Sequence, residues 1–184
     1  MRPTDTLKAE HRVIERVLAV LNRASDKLAR SEPVDAAVFT QSVDFIRNFA
    51  DHYHHAKEED SLYRRMGERG FPMDSGPIAV MLAEHEEGRR YVRGLADAAE
   101  RYGRGDQAAM DEIVQNARGY ADLLAQHIQK EDNILYEIAD SRLSPADQSD
   151  LEQRFEHKEQ ETIGPGGHER YVALVGQLEQ AVGA

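Results

Sequence analysis

Histidine and glutamate at helical spacing are the residues of this sequence best suited to do chemistry. His54 and Glu58 lie four residues apart, and so do His127 and Glu131. Residues at positions i and i+4 share one face of a helix, so each pair can bind adjacent metal ions or share one ion. The chain contains no cysteine, and imidazole with carboxylate but without thiolate suits iron, manganese or zinc. The residue types therefore indicate a metal site, with iron as the preferred ion.

The sequence around each pair is duplicated. The segment AEH at 9–11 recurs 74 residues later at 83–85, and HHAKEEDSLY at 54–63 recurs 73 residues later as HIQKEDNILY at 127–136. Each copy thus carries a histidine followed by a His-x-x-Lys-Glu segment. The repeat also selects Glu58 over Glu59 as the second residue of the first pair, because only that register aligns the two Leu-Tyr dipeptides.

Helices are the elements that must position these residues. Proline and glycine break the chain at 31–33, 67–76, 102–105, 141–145 and 162–167, which leaves four long segments and two shorter ones. Each long segment repeats apolar residues at a period of about 3.6. In the fourth segment this apolar stripe consists of Met110, Ile113, Ala117, Tyr120, Leu124, Ile134 and Ile138. Short connections make neighbouring helices antiparallel. We therefore predict an all-α fold, an up-down-up-down antiparallel four-helix bundle over 1–143, with a C-terminal helical extension over 144–184 packed on it in the same domain.

Polar residues interrupt these apolar stripes at one level. His11 and His85 lie near the start of the first and third helices, and the two His–Glu pairs lie near the end of the second and fourth. In such a bundle all of them share one layer, about 12 Å from one end at a rise of about 1.5 Å per residue. Burying carboxylates without compensation costs several kcal/mol each, so this layer requires cations. The pattern predicts a dinuclear centre; the alternative is a plain bundle whose histidines bind nothing.

Other polar residues near this layer receive ordinary interpretations. His52 and His157 are expected to be exposed. Solvated helix faces are expected for Glu59, Asp60, Glu84, Glu86 and Glu87. Tyr63 and Tyr136 are expected to pack at the bundle end, with hydrogen bonding near the metal as the alternative.

Composition and charge exclude several classes of protein. The 184 residues include 34 acidic and 23 basic ones, a net charge of −11, so the chain lacks the positive field that binds nucleic acid or an anionic membrane. Without cysteine there is no disulfide, thiolate zinc site or iron–sulfur cluster. No apolar run approaches the roughly 20 residues needed to cross a bilayer, and the first ten residues have no apolar signal core. We expect a cytoplasmic monomer or homodimer.

This arrangement of residues resembles the hemerythrin-like (HHE cation-binding) family over about residues 4 to 140. The resemblance rests on six positions in four helices: His11, His54, Glu58, His85, His127 and Glu131. It implies a four-helix bundle that holds two iron ions in a non-haem centre with carboxylate and oxo or hydroxo bridges. Members of the family bind O2, store or sense iron, sense oxygen or redox state, or handle peroxide and nitric oxide.

The sequence departs from the respiratory pigments of that family at two places. Position 89, four residues after His85, is arginine where those proteins have histidine, and Glu131 follows His127 by four residues where their carboxylate follows by five. One of the usual five histidines is therefore missing from its place. We hypothesise that His55 supplies it, with His168 as the second candidate.

Gly88 and the two tyrosines enter the functional prediction. Gly88 faces inward one turn after His85 and is expected to open a pocket for a small ligand, with close helix packing as the alternative.

The favoured function is a di-iron protein that binds O2 or a related ligand such as peroxide, nitric oxide or azide, in sensing, storage or protection. One alternative is a di-iron oxidase or catalase-like enzyme that uses Tyr63 or Tyr136 as proton donor. Another is an iron-responsive interaction module. The ligand types also suit zinc and manganese.

Overall fold

A computed structural model describes residues 2–183, which are helical apart from short connections and contain no strand. The prediction of an all-α protein is thus confirmed over that range. Six helices follow one another: α1 (Pro3–Ala29), α2 (36–68), α3 (Gly76–Gly103), α4 (110–142), α5 (Pro145–Thr162) and α6 (Gly167–Val182). One turn of 3-10 helix, Gln107–Ala109, precedes α4. Among these helices, none has an apolar stretch that would be long enough to span a bilayer.

Two of the long helices change their winding where the His–Glu pairs lie. In α2 the segments Ile46–His55 and Glu58–Tyr63 are π-helical, and in α4 the segment Glu131–Leu135 is π-helical. The remaining segments, which are α-helical, are Ala36–Phe45, Arg64–Glu68, Met110–Lys130 and Tyr136–Arg142. A π segment bonds residue i to i+5 and is wider than an α-helix, and such segments are frequent at functional sites.

The π segment of α4 overturns one part of the predicted apolar stripe. Ile134 is 52% exposed, whereas its neighbour Leu135 is only 2% exposed. The α-helical period predicts the reverse, with Ile134 in the core. Because each π turn takes up more residues than an α turn, the inward face moves on by about one position after Glu131.

Polar contacts between neighbouring helices join the start of one helix to the end of the other. In the pair α1 and α4, Thr4 bonds to Asp140 at 2.7 Å, whereas Asp26, near the other end of α1, bonds to Arg118 at 2.6 Å. These two helices are therefore antiparallel. Helix α3 packs on both α2 and α4, and α6 packs on α1 and α2.

The polar layer lies between two apolar clusters. The larger cluster contains most of the buried apolar residues, including Leu21, Phe49 and Leu124, and Val175 of α6 belongs to it. The second contains Leu62 and, from α5, residues Leu151 and Phe155. Along each of the first four helices, the candidate ligands come between residues of the two clusters. The C-terminal helices thus contribute apolar side chains to both sides of the layer.

Alanine substitutions at two adjacent residues of α4 test the shift of its inward face. We expect Leu135→Ala to lower the free energy of unfolding by about 2–5 kcal/mol, because it removes a buried side chain and leaves a cavity. Ile134→Ala is the matched control and should change it by less than about 0.5 kcal/mol, as is usual for surface positions. Urea unfolding of both variants measures the difference. Equal losses would show that α4 continues as a regular α-helix through this segment.

Candidate metal centre

All seven residues proposed as metal ligands from the sequence lie together in the buried polar layer. Two groups have ligand atoms within 4.8 Å of one another: His55, Glu58, His85 and His127 form the first, and His11, His54, Glu58 and Glu131 form the second. Every member is buried. Because Glu58 belongs to both groups, the two groups adjoin.

Each of the two carboxylates lies between histidines from different groups. In Glu131, Oε2 is 3.2 Å from Nε2 of His11 and 3.2 Å from Nε2 of His127. In Glu58, Oε1 is 3.6 Å from Nε2 of His54, and Oε2 is 3.5 Å from Nε2 of His85. This is the placement that a carboxylate needs in order to bridge two metal ions.

Carboxylates outside this set hold four of the imidazole rings by their Nδ1 atoms. The pairs are His11 with Asp132 at 2.7 Å, His54 with Glu10 at 2.8 Å, His85 with Glu59 at 2.7 Å and His127 with Glu84 at 2.9 Å. A ring that donates its Nδ1–H to a carboxylate presents the Nε2 lone pair on the opposite side, which is the usual arrangement of metal-binding histidines.

Several inward-facing atoms of this layer lack ordinary partners. Nε2 of His85 lies 3.1 Å from Nε2 of His127, so two ring nitrogens point at each other. Nε2 of His54 and Oε2 of Glu58 have no hydrogen-bond partner among residues 2–183. Buried polar atoms are seldom left in this state. The donor set therefore fits cations placed between the rings and the carboxylates.

Sequence reasoning missed the carboxylates that orient the rings. Glu59 and Glu84 were expected on solvated faces, but their side chains are only 26% and 16% exposed and contact His85 and His127. Each of these glutamates is adjacent in sequence to a candidate ligand but contacts the histidine ring of a different helix. The spacing of residues along one helix cannot reveal such a contact. The duplication carried the signal, because Glu10 and Glu84 occupy equivalent positions before His11 and His85.

The two tyrosines do more than pack at the bundle end. Both are fully buried in the second apolar cluster, and the Tyr63 hydroxyl donates to Glu131 while the Tyr136 hydroxyl donates to Glu58. Each tyrosine thus crosses from one copy of the repeat to the carboxylate of the other. The alternative of hydrogen bonding near the metal fits these contacts better than packing alone.

The two candidates for the fifth histidine are placed differently. His55 belongs to the first ligand group and stacks on His85, with ring centroids 3.9 Å apart. His168, on α6, lies against Phe49 with ring centroids 5.6 Å apart and belongs to neither group. The geometry therefore favours His55. His52 and His157 are exposed, as predicted.

The metal-free layer has an uneven distribution of protons. Burial, together with the charge of Glu131, raises the pKa of Glu58 well above its usual value. Burial also acts to raise the pKa of Glu131, but His127 and His11 outweigh it and lower that pKa. Burial lowers the pKa of His127, yet Glu131 and Glu84 raise it to about 9. A metal ion must displace such protons in order to bind.

A cavity of about 380 Å³ adjoins the first ligand group. His55, His85, Gly88 and Tyr120 are among its lining residues. A Cβ atom added at Gly88 would lie 3.4 Å from Cε2 of Tyr120 and 3.5 Å from Cδ2 of Leu124, which are ordinary van der Waals contacts. Helix packing therefore leaves room for an alanine at this position, and a larger side chain would compete for space with Tyr120 and Leu124 at the cavity wall.

Comparison with known proteins agrees with this site. The family model of the hemerythrin HHE cation-binding domain matches residues 2–139. The chain belongs to this family. The match includes all seven candidate ligands and ends before α5, so the last two helices lie outside the matched residues.

Two relatives of this hemerythrin-family chain extend the likeness through the C-terminal helices. An uncharacterized protein of Mycobacterium tuberculosis and one of Mycobacterium bovis are each 24% identical to it over 181 residues, which is 98% of this chain and 70% of the relative. No solved structure gives a significant match.

A buried ion pair supports one side of the centre. Lys57 is fully buried, pairs with Glu10 and lies 3.7 Å above the ring of Tyr53. Burial acts to raise the pKa of Glu10, but Lys57 and His54 lower it to about 2. In the other copy of the repeat, Lys130 pairs with Glu84, and its side chain is 37% exposed.

These two equivalent ion pairs should differ in their contribution to stability. We expect Lys57→Met to lower the free energy of unfolding of the metal-free protein by about 3–5 kcal/mol, because it leaves the charge of Glu10 buried and unpaired. The double variant Lys57→Met/Glu10→Gln should recover much of this loss. Lys130→Met is the matched control and should cost at most about 1 kcal/mol. Similar losses at Lys57 and Lys130 in urea unfolding would contradict the difference in burial.

Proposed function

We propose that the protein is a non-haem di-iron protein that binds O2 or a related small ligand in sensing, storage or protection. The observation that carries this proposal is the position of Glu58 and Glu131, each between a histidine of one ligand group and a histidine of the other. Membership in a cation-binding family supports it. When bound, two iron ions would supply redox chemistry and open coordination positions.

We infer that α1 to α4 form the up-down-up-down four-helix bundle that holds this centre. Two kinds of contact support the inference. Contacts between α1 and α4 run antiparallel, and so do those between α3 and α4, where Glu84 pairs with Lys130 and Arg101 pairs with Glu112. Four helices that meet at one polar layer can each contribute a ligand from a different side.

The assignment of iron combines the donor set, which admits it, with the proposed binding of O2, which favours it. Five imidazoles and two carboxylates, with no sulfur, suit iron, manganese and zinc alike. Two buried carboxylates between the groups favour a pair of cations over a single ion, because one ion cannot contact both sets of four residues equally. Iron is the member of this series whose redox chemistry matches the binding of O2.

The cavity supports the binding of a small ligand beside the centre. Among the candidate ligands, His55 and His85 line it. The rest of the ligand layer is enclosed by the two apolar clusters. A ligand that reaches the first group from this side would not have to displace core side chains.

A second candidate function is peroxide handling by a di-iron enzyme. The specific observation in its favour is that the hydroxyls of Tyr63 and Tyr136 contact the two carboxylates of the centre. Burial is the main cause that raises the pKa of both tyrosines well above the usual value, so both hydroxyls stay protonated and can donate hydrogen bonds to a neighbouring oxygen.

An optical spectrum of the purified protein distinguishes these functions. We expect about two iron ions per chain and the charge-transfer bands of a bridged di-iron centre, because two groups share one carboxylate. Reversible bleaching on reduction and reoxidation by O2 would support a carrier or sensor, and turnover of peroxide would support the enzyme. A colourless protein that contains zinc by elemental analysis would exclude both.

The ligand set predicts which variants lose metal. Glu131→Ala should reduce the iron content by about half or more, since it removes a carboxylate that lies between a histidine of each group, and His55→Ala should alter the spectrum. His168→Ala and His157→Ala are the matched controls and should retain two irons and the parental spectrum. Iron measured per folded chain by elemental analysis decides the outcome. Full loading and an unchanged spectrum in His55→Ala would remove His55 from the ligand set.

A larger side chain at Gly88 tests whether the small ligand binds in the adjoining cavity. Gly88→Leu should weaken the binding of azide by about tenfold or more while iron content is preserved, because the added side chain occupies the space next to His85. Gly176→Leu on α6, where nothing lies within 4 Å of an added Cβ, controls for the glycine replacement itself. Unchanged azide binding in Gly88→Leu would show that the ligand does not use this cavity.

A further inference from the structure

The wall of the cavity beside His55 and Gly88 contains more arginines than carboxylates. Three arginines, Arg47, Arg89 and Arg93, line it, against one carboxylate, Asp51. The chain as a whole has a net charge of −11. A concave surface with one sign of charge raises the local concentration of ions of the other sign.

Two of these arginines have charges that no protein carboxylate neutralises. Arg89 forms ion pairs with Asp51 at 2.7 Å, with Glu59 at 2.8 Å and with Glu86 at 2.5 Å, so carboxylates of the protein neutralise its charge. Arg47 and Arg93 are exposed and take part in no ion pair among residues 2–183. Their guanidinium groups are therefore available to an anion that approaches the cavity.

A buried hydroxyl on the cavity wall also lacks a partner. Tyr120 is 2% exposed and lines the cavity, and within the described part of the chain its hydroxyl makes no hydrogen bond. Buried tyrosine hydroxyls usually have a partner. With its pKa raised by burial and by Asp51, this hydroxyl stays protonated and serves as a hydrogen-bond donor.

The repeat shows that this cavity is confined to one half of the centre. By the offset between the copies, Gly88 corresponds to Ile14, and His55 corresponds to Ile128. Both isoleucines are buried in the larger apolar cluster. The equivalent space on the other side is thus filled by apolar side chains, whereas here a small residue and a polar one replace them.

We propose that the cavity is a binding site for a small anion, which Arg47 and Arg93 attract and to which the Tyr120 hydroxyl donates a hydrogen bond. The proposal rests on the proposed function and adds to it a preference of this cavity for anions over neutral ligands of similar size. The volume of about 380 Å³ exceeds the roughly 30 Å³ that one water occupies in the liquid, so an anion of a few atoms fits with some of its hydration.

Azide binding to the oxidised, iron-loaded protein tests the role of Tyr120. We expect Tyr120→Phe to weaken azide binding by about tenfold or more, since a hydrogen bond to a charged group is lost, with iron content unchanged. Tyr102→Phe is the matched control, because the Tyr102 hydroxyl bonds to the backbone oxygen of Val34, away from the cavity. Equal azide affinity in Tyr120→Phe and the parent protein would overturn the donor role.

The binding of an anion compared with that of a neutral ligand tests the role of the two arginines. The double variant Arg47→Gln/Arg93→Gln should bind azide about three- to tenfold more slowly at low ionic strength, and the difference should shrink as salt is added. Binding of neutral nitric oxide to the reduced protein should not change. Arg64→Gln/Arg90→Gln removes the same charge from exposed residues that do not line the cavity and should behave like the parent.

The outcomes separate this proposal from the one on which it rests. A protein that carries two irons but shows the same azide binding and salt dependence in every variant would overturn the anion site and leave the di-iron centre intact. A protein that carries no iron under any loading condition would overturn the proposed function itself. Weaker azide binding in Tyr120→Phe and slower azide binding in the double arginine variant, with nitric oxide binding retained, is the result we expect.

Discussion

Two carboxylates buried in the middle of a helical core are the constraint on which the rest of this structure depends. Glu58 and Glu131 lie among histidines, with apolar clusters on either side. Such a layer is costly without cations, because burial raises the pKa of Glu58 well above its usual value, and Glu131 keeps its charge only through the neighbouring His127 and His11. The surrounding network of carboxylates, tyrosines and a buried lysine can be understood as the means of keeping this layer ordered for metal.

The duplication explains how the network is built. Glu10 binds the ring of His54 and the ammonium group of Lys57, and in the second copy Glu84 does the same for His127 and Lys130. The tyrosines connect the two copies, because each hydroxyl reaches the carboxylate of the opposite copy. Neither hairpin is complete alone, so the centre forms only when the two hairpins are packed together.

The two halves of the centre share the duplicated histidines and glutamates but differ at His55, which corresponds to Ile128, and in their surroundings. Isoleucines close one side, whereas Gly88 and His55 leave the other open to a cavity. The two lysines also differ, since α5 places Phe155 near Lys57, with 5.3 Å between its ring and the ammonium group, while Lys130 stays partly exposed. A duplicated set of histidines and glutamates is thus combined with a cavity beside one of the two ligand groups.

The sequence by itself determined the helices, their approximate ends and the set of residues that meet in the core. These properties follow from short-range spacing and from the repeat, so His11, His85 and the two His–Glu pairs could be placed in one layer without coordinates. Only the tertiary structure decided which carboxylates orient the rings, since Glu59 and Glu84 act on neighbouring helices. It also decided that Leu135 and not Ile134 faces the core, because a π segment changes the helical phase locally. The charge and shape of the cavity likewise depend on side chains from three helices, which no pattern along a single helix can bring together.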